Sequence, residues 1–182
     1  MTHSDKLSHA LVTENDQAAF RRAMRQLPGG ASVITLGRGD DISGLTVTSV
    51  SSLAAEPPTV IFCINRSSSS WPVLDRHRAF AVNVLGPQHV AVAERFSGRG
   101  GTKGAARFAD ANWLTLVTGT PVLDHALAVL DCEVEEIIER HTSAIVIGRV
   151  VAVKIEDEAA TPVSLAYWRG RFGAFSGNSE LV

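Results

Sequence analysis

A chain of 182 residues with 45% apolar side chains has the size and content of one globular domain able to bury a sizeable core. Its 17 basic and 19 acidic side chains leave a formal charge of −2, so there is no overall electrostatic reason to bind nucleic acid or an anionic membrane, and small-molecule partners are expected. The N-terminus lacks a basic stretch followed by an apolar one, and no apolar segment reaches the roughly 18 to 20 residues that span a bilayer, so a soluble, cytoplasmic protein is expected. Residues 1–12 read as a disordered polar tail and 13–182 as a single domain. The segment TENDQAAFRRAMRQLPGG predicts a helix, with Thr13 and Asp16 forming a capping box and Phe20, Met24 and Leu27 at helical spacing; Pro28, Gly29 and Gly30 end it. ASVITLG, the turn RGDD and GLTVTSVSSL predict a hairpin whose second strand is rich in β-branched residues. TVIFCIN is apolar on both faces and reads as a central strand.

The stretch CINRSSSSWP follows, where a serine run leads into the short helix WPVLDRHR with Ser69 or Ser70 available as its cap. A serine run is most often a linker, but a linker between a buried strand and a helix does not suit a compact domain. The alternative is a cradle of hydroxyls and free backbone N–H groups, with Arg66 for charge, which suits a phosphate. AFAVNVL is a further strand and PQHVAVAERF a helix; the glycine-rich SGRGGTKGAARF breaks regular structure and fits no nucleotide-binding spacing, so it reads either as a mobile surface loop or as a lid over a phosphate. ALAVLDCEVEEIIER and SAIVIGRVVAVKI face each other across His141 and Thr142 as a long hairpin, and the acidic EDEAATP and aromatic SLAYWRGRFGAF complete the chain. Cys63 and Cys132 sit in apolar runs without metal or disulfide spacing and read as buried free thiols. The histidines form no HExxH-like pattern, so no metal site is expected, and no GxSxG or comparable nucleophile motif is present. About seven strands with two or three helices, lacking βαβ alternation, predict a mainly β protein built on an antiparallel barrel with flanking helices.

In this setting the segments GLTVTSVSSLAAEPPTVIFCINRSSSSW, FAVNVL, RFAD, LDCEVEEIIERHTSAIVIGRVVAV and YWRGRFG, spread over about residues 16 to 175, resemble the short-chain flavin reductases, the reductase components of two-component flavin monooxygenases. The resemblance implies a split β-barrel, a homodimer, FMN or FAD, and electron transfer from NADH or NADPH to flavin that is then passed to a separate oxygenase. NADH is preferred because no site for an adenosine 2′-phosphate is evident. Thr46 and Thr48 lie on one strand face and Ser49 and Ser51 on the other. Such hydroxyls commonly only decorate a solvent face, but the resemblance places Thr46, Thr48 and Ser49 along the flavin ring. It places Asn65, Arg66, Ser67 and Ser70 at the ribityl and phosphate end, with Lys103 approaching from the glycine-rich loop. By the same resemblance His141, which on its own reads as a solvated turn residue, contacts the nicotinamide and is the catalytic candidate. Tyr167 and Arg169, otherwise an aromatic core plug and a surface arginine, belong to the pyridine-nucleotide site. The competing readings are a flavin-retaining oxidase similar to pyridoxamine-phosphate oxidases and a flavin-binding protein without turnover.

Overall fold

A computed structural model describes residues 16–156 and 163–176. The tail over residues 1–12, Thr13 of the expected capping box and nearly all of the acidic loop EDEAATP lie outside the described residues. Helix α1 (Gln17–Met24) opens on Asp16, whose carboxylate accepts the Ala19 N–H at 2.8 Å, so Asp16 is itself the N-cap rather than the far member of a box begun by Thr13. The apolar stripe of Phe20, Met24 and Leu27 faces outward, 64%, 50% and 66% exposed, and Ala19 is the buried residue of the helix.

Strands β1 (Gly29–Gly30), β2 (Ser32–Arg38) and β3 (Asp41–Val47) follow, with β2 and β3 forming the expected hairpin. The second expected strand does not run through to Leu53. It breaks over Thr48–Val50, and β4 (Ser51–Ala55) starts anew. With β5 (Pro58–Asn65), β6 (Ala79–Val84), β9 (Ala128–Arg140) and β10 (Ser143–Ile155), these strands make a seven-stranded antiparallel sheet in the order β3-β2-β6-β9-β10-β5-β4. Its two edges, β3 and β4, are consecutive in the chain. Laid flat, the edges of such a sheet would be roughly 29 Å apart, whereas the four peptide steps from Val47 to Ser51 span at most about 14 Å. The sheet therefore has to roll into a barrel. No ladder joins β3 to β4 among the described residues, and the barrel is split there. At the split the N–H of Cys63 on β5 donates to the Ser49 hydroxyl at 3.1 Å, a side chain standing in for a strand partner.

The barrel interior holds Ile34, Phe62, Ile64, Phe80, Val82 and Val146, and helix α2 (Trp71–His77) inserts Val73 and Leu74 among them. Gly148 lies at a register shift between β10 and β9, and a Cβ there would stand 2.3 Å from the Phe80 ring, so a side chain would displace the ring that packs edge-on against Phe62. A second apolar cluster covers the outer face of β2, β6 and β9. It comes from helix α3 (Val90–Phe96), the 3₁₀ turn Gly104–Phe108, the two-stranded sheet of β7 (Trp113–Thr115) and β8 (Pro121–Leu123), and Leu165. That cover is why β2 is buried on both faces.

The aromatic tail is a hairpin, β11 (Val163–Trp168) and β12 (Arg171–Ser176), paired with β1 in a three-stranded sheet. Its turn residues Arg169 and Gly170 both have positive φ, 50° and 89°, as a two-residue hairpin turn of type I′ requires. The expected seven strands correspond in number to the main sheet; the five strands of the two small sheets had no clear period in the sequence. TVIFCIN, expected to be central, lies one strand from the edge, and its outward face is partly open. Cys63 is accordingly exposed and not buried as expected, while burial pushes the Cys132 thiol pKa up to about 12.

Candidate functional site

Asn65 ends β5, and the chain then turns tightly rather than running loose. The Asn65 side-chain oxygen accepts both the N–H and the hydroxyl of Ser67 at 2.9 Å, and its carbonyl accepts the Ser68 N–H at 2.9 Å. The serine run is thus a set of stacked turns and not a linker. It is not a nest of free amides either. Arg66 N–H donates to the Thr142 carbonyl, Trp71 N–H to the Ser68 carbonyl and Ser70 N–H to the Ser68 hydroxyl, so these groups are spent within the protein. Ser70 also departs from its expected place beside a flavin. It is fully buried, its hydroxyl donates to the Gly44 carbonyl at 2.9 Å and lies 2.9 Å from the Ser43 hydroxyl. Ser70 joins the turn to β3 and cannot reach a ligand at the surface.

Asn65, Arg66 and Ser67 remain exposed. The Arg66 guanidinium is 2.7 Å from the Glu139 carboxylate and lies 5.9 Å from the Trp71 ring centroid. Both members of this ion pair are about half exposed, so it is weak enough for a better anion to displace Glu139. His141, exposed and with φ of 52°, forms the β9–β10 turn with Thr142. Register places Ser143 opposite Asn65, and the Thr142 carbonyl holds the Arg66 N–H, so His141 sits beside the serine-rich corner from which its sequence distance appeared to separate it.

Alternation along β5 carries this surface back towards the split. Cys63 and Asn65 point outward together, and the Ser49 hydroxyl bonded to the Cys63 N–H extends the strip to the exposed Thr48. From Cys63 to Asn65 along β5 the strip runs about 7 Å before the turn that carries Arg66. Thr48 also lines a cavity of about 240 Å³ with Thr46, Val47, Ser97, Arg99, Tyr167 and Phe172. There the Thr46 hydroxyl donates to the Ala93 carbonyl at 2.6 Å, Arg99 donates to the Tyr167 hydroxyl at 2.8 Å, and Tyr167 packs on Phe172 with centroids 5.0 Å apart.

Arg169 is directed away from this cavity. It donates to the Gln26 side-chain oxygen through Nε at 2.9 Å, lies over Trp168 at 5.0 Å, and lines a neighbouring groove of about 440 Å³ with Met24, Leu27 and Trp168. Lys103 is exposed at the start of the 3₁₀ turn. The expected irregular loop is therefore pinned over its second half. Arg107, 6% exposed, donates to the Thr102 carbonyl at 2.9 Å and to the Gly44 carbonyl, and burial lowers its pKa from the usual guanidinium range. Sequence reasoning missed Arg99 and Phe172. Arg99 had one signal, a basic residue set among glycines, and Phe172 became legible as a partner of Tyr167 only once the tail was seen to be a hairpin.

The architecture is that of a split β-barrel with a polar strip along its split and an aromatic-lined cavity at one end. The model of the flavin reductase like domain matches residues 24–176, and the chain belongs to that family. It is 33% identical over 162 residues to an NADH-dependent FMN reductase, RutF, of Cronobacter sakazakii, covering 89% of this chain and 95% of that protein. Component B of nitrilotriacetate monooxygenase from Mycobacterium thermoresistibile superposes with a TM-score of 0.81 at 28% identity, over 92% of this chain and 90% of that one. The NADH:FAD oxidoreductase SgcE6 of Streptomyces globisporus, solved with NAD and FAD fragments, superposes with a TM-score of 0.81 at 26% identity, over 93% of this chain and 99% of that one.

The placement of Ser70 has a direct test. Ser70→Ala removes a buried hydroxyl that joins the serine turn to β3, so denaturant unfolding should show a loss of about 1–3 kcal/mol, while titration with FMN should show unchanged affinity.

Proposed function

We propose that this chain is an NADH:flavin oxidoreductase that reduces FMN or FAD and releases the reduced flavin to a separate oxygenase component, with NADH preferred over NADPH. The observation that carries this reading is the exposed strip Thr48–Ser49–Cys63–Asn65–Ser67, which ends at the Arg66 guanidinium and opens at its other end into the Tyr167 cavity. A flavin nucleotide needs donors beside its ring, hydrogen-bonding groups along its ribityl chain and a cation at its phosphate, and the residue types along the strip supply them in that order. In this reading Thr46, Thr48 and Ser49 border the ring, Asn65 and Ser67 hold the ribityl chain, Arg66 meets the phosphate and Lys103 approaches it from the loop. His141 meets the nicotinamide from the Asn65 end of the strip, Tyr167 belongs to the pyridine-nucleotide site at the cavity end, and Arg169 supports Tyr167 by fastening the hairpin tip to the segment after α1 through Gln26.

Flavin, when bound, supplies the redox chemistry, accepting hydride from the nicotinamide. The protein's part is to hold two planar rings in register and to keep donors near the ring oxygens, so positioning accounts for its catalysis. The half-exposed Arg66–Glu139 pair suits an exchangeable ligand. Phosphate must displace Glu139, which lowers net affinity for oxidised and reduced flavin alike and so suits exchange.

The assembly we propose is a homodimer. Phe20 and Met24 on α1, Leu27 just after it, and Trp168 and Phe175 on the last hairpin are half or more exposed, an apolar surface that a second copy would cover. The two free cysteines fit a reducing, cytoplasmic setting. No described helix is long and apolar enough to cross a membrane.

Steady-state assays with FMN, FAD and riboflavin supplied separately test the activity. NADH is expected to be consumed only when flavin is added, in proportion to flavin reduced; consumption matched to turnover of an organic compound without free flavin would overturn the reading. Arg66→Ala should weaken FMN by about 5- to 30-fold while riboflavin changes little, because a charge-assisted contact is lost and the displaced Glu139 pairing offsets part of it. Equal weakening of both ligands would remove Arg66 from the phosphate. His141→Ala should raise KM for NADH or lower kcat by about 5- to 100-fold with FMN affinity unchanged. Wild-type kinetics from pH 6 to 8 would leave His141 a solvated turn residue.

A further inference from the structure

Arg99 stands apart from the residues that the sequence singled out. It sits in the glycine-rich loop between Gly98, Gly100 and Gly101, all with positive φ (79°, 93° and 78°), a path that side-chain-bearing residues rarely follow. That path carries Arg99 to the cavity, where Nη2 donates to the Tyr167 hydroxyl at 2.8 Å and the guanidinium carbon lies 5.9 Å from the ring centroid. Among the described residues no carboxylate pairs with Arg99, and of the seven residues lining the cavity it carries the one formal charge. An exposed guanidinium held by a neutral phenol keeps its charge available. Arginine has donors alone, so the Tyr167 oxygen accepts, and the phenolic proton is left to donate to something else. Thr48, exposed at the same cavity, adds a second hydroxyl. Charge and donors together suit a phosphate or pyrophosphate group.

We propose that Arg99, steadied by Tyr167, binds the pyrophosphate of the pyridine dinucleotide. The proposal deepens the reductase reading and rests on it. When the flavin is FMN, its single phosphate is met by Arg66 at the far end of the strip, and a second cation at the cavity end matches the anionic part of the second ligand. Arg99 thereby couples affinity for the dinucleotide to the position of Tyr167, the aromatic ring at the cavity end of the site.

The test compares Arg99→Ala, Arg99→Lys and Tyr167→Phe with NADH and with reduced nicotinamide riboside, which lacks phosphate, at saturating FMN, alongside FMN and riboflavin titrations. Arg99→Ala is expected to raise KM for NADH about tenfold, as loss of one charge-assisted contact implies. KM for the riboside and both flavin affinities should stay unchanged. Arg99→Lys should recover part of the loss, and Tyr167→Phe, which frees the guanidinium, should raise KM for NADH by a smaller factor. Equal losses with NADH and the riboside would make Arg99 a support for the loop, and weakened FMN with intact riboflavin binding and NADH kinetics would assign it to the flavin phosphate. Either result, or no change at all, overturns the proposal. If the wild-type protein oxidises no NADH with any flavin, the reductase reading fails. Direct titration of NADH and the riboside then decides the anion contact separately: a loss confined to NADH in Arg99→Ala supports it, and unchanged binding overturns it.

Discussion

The structure depends on the crossing from β3 to β4. Three residues, Thr48 to Val50, join the two edges of a seven-stranded sheet, and so short a span admits no flat arrangement. Rolling the sheet creates a closed interior for Phe62, Phe80 and their neighbours and leaves a seam where strand pairing stops. Backbone groups at a seam lack ladder partners and are met by side chains, as Ser49 meets the Cys63 N–H. The polar residues of the candidate site lie along that seam for this reason.

A second consequence falls on Gly44. On the edge strand β3, its carbonyl accepts from Ser70 of the serine turn and from Arg107 of the glycine-rich segment. One peptide oxygen thus anchors both segments that bring cations to the strip, Arg66 on one and Arg99 with Lys103 on the other. Arg107 is buried against carbonyls without a carboxylate partner among the described residues, an arrangement that costs desolvation and is sustained by charge-assisted bonds. The cations differ in how they are held. Arg107 is spent on structure, Arg66 is lent to an exposed carboxylate, and Arg99 rests on a phenol. Their readiness to meet a ligand rises in that order, because the ligand must replace progressively weaker internal partners.

The outward turn of α1 and of the last hairpin leaves large apolar side chains exposed. Phe20, Met24 and Leu27 have helical spacing that ordinarily marks a core-facing stripe, yet they flank a groove shared with Tyr167, Trp168 and Arg169. The fastening of Arg169 to Gln26 and of the Trp168 indole to the Gln26 carbonyl ties the groove's two walls together. Any surface that covers this groove therefore also bears on the wall that carries Tyr167.

Local rules read directly from the chain located the elements. Short apolar runs bounded by turn residues marked β2, β5 and β6, and the pair of long extended segments around His141 and Thr142 marked the β9–β10 hairpin. Residue types likewise pointed to hydroxyls, an amide and an arginine gathered for an anionic ligand, and the order of motifs pointed to the family. What the chain could not display locally was which polar groups would already be satisfied. Ser70 looks like its neighbours in a run of four serines, and only the approach of β3 from 26 residues away buries it. Free amides in the same run were consumed by contacts with Asn65, Ser68 and Thr142. Arg99 gained its phenol partner only when the last hairpin brought Tyr167 across 68 residues to meet it. Side-chain periodicity is a property of neighbours in sequence, so sequence determined strands, helices and the chemistry on offer. Whether a given donor faces a ligand or another part of the chain depends on partners distant in sequence, and that was decided when the sheet rolled and the loops closed over its seam.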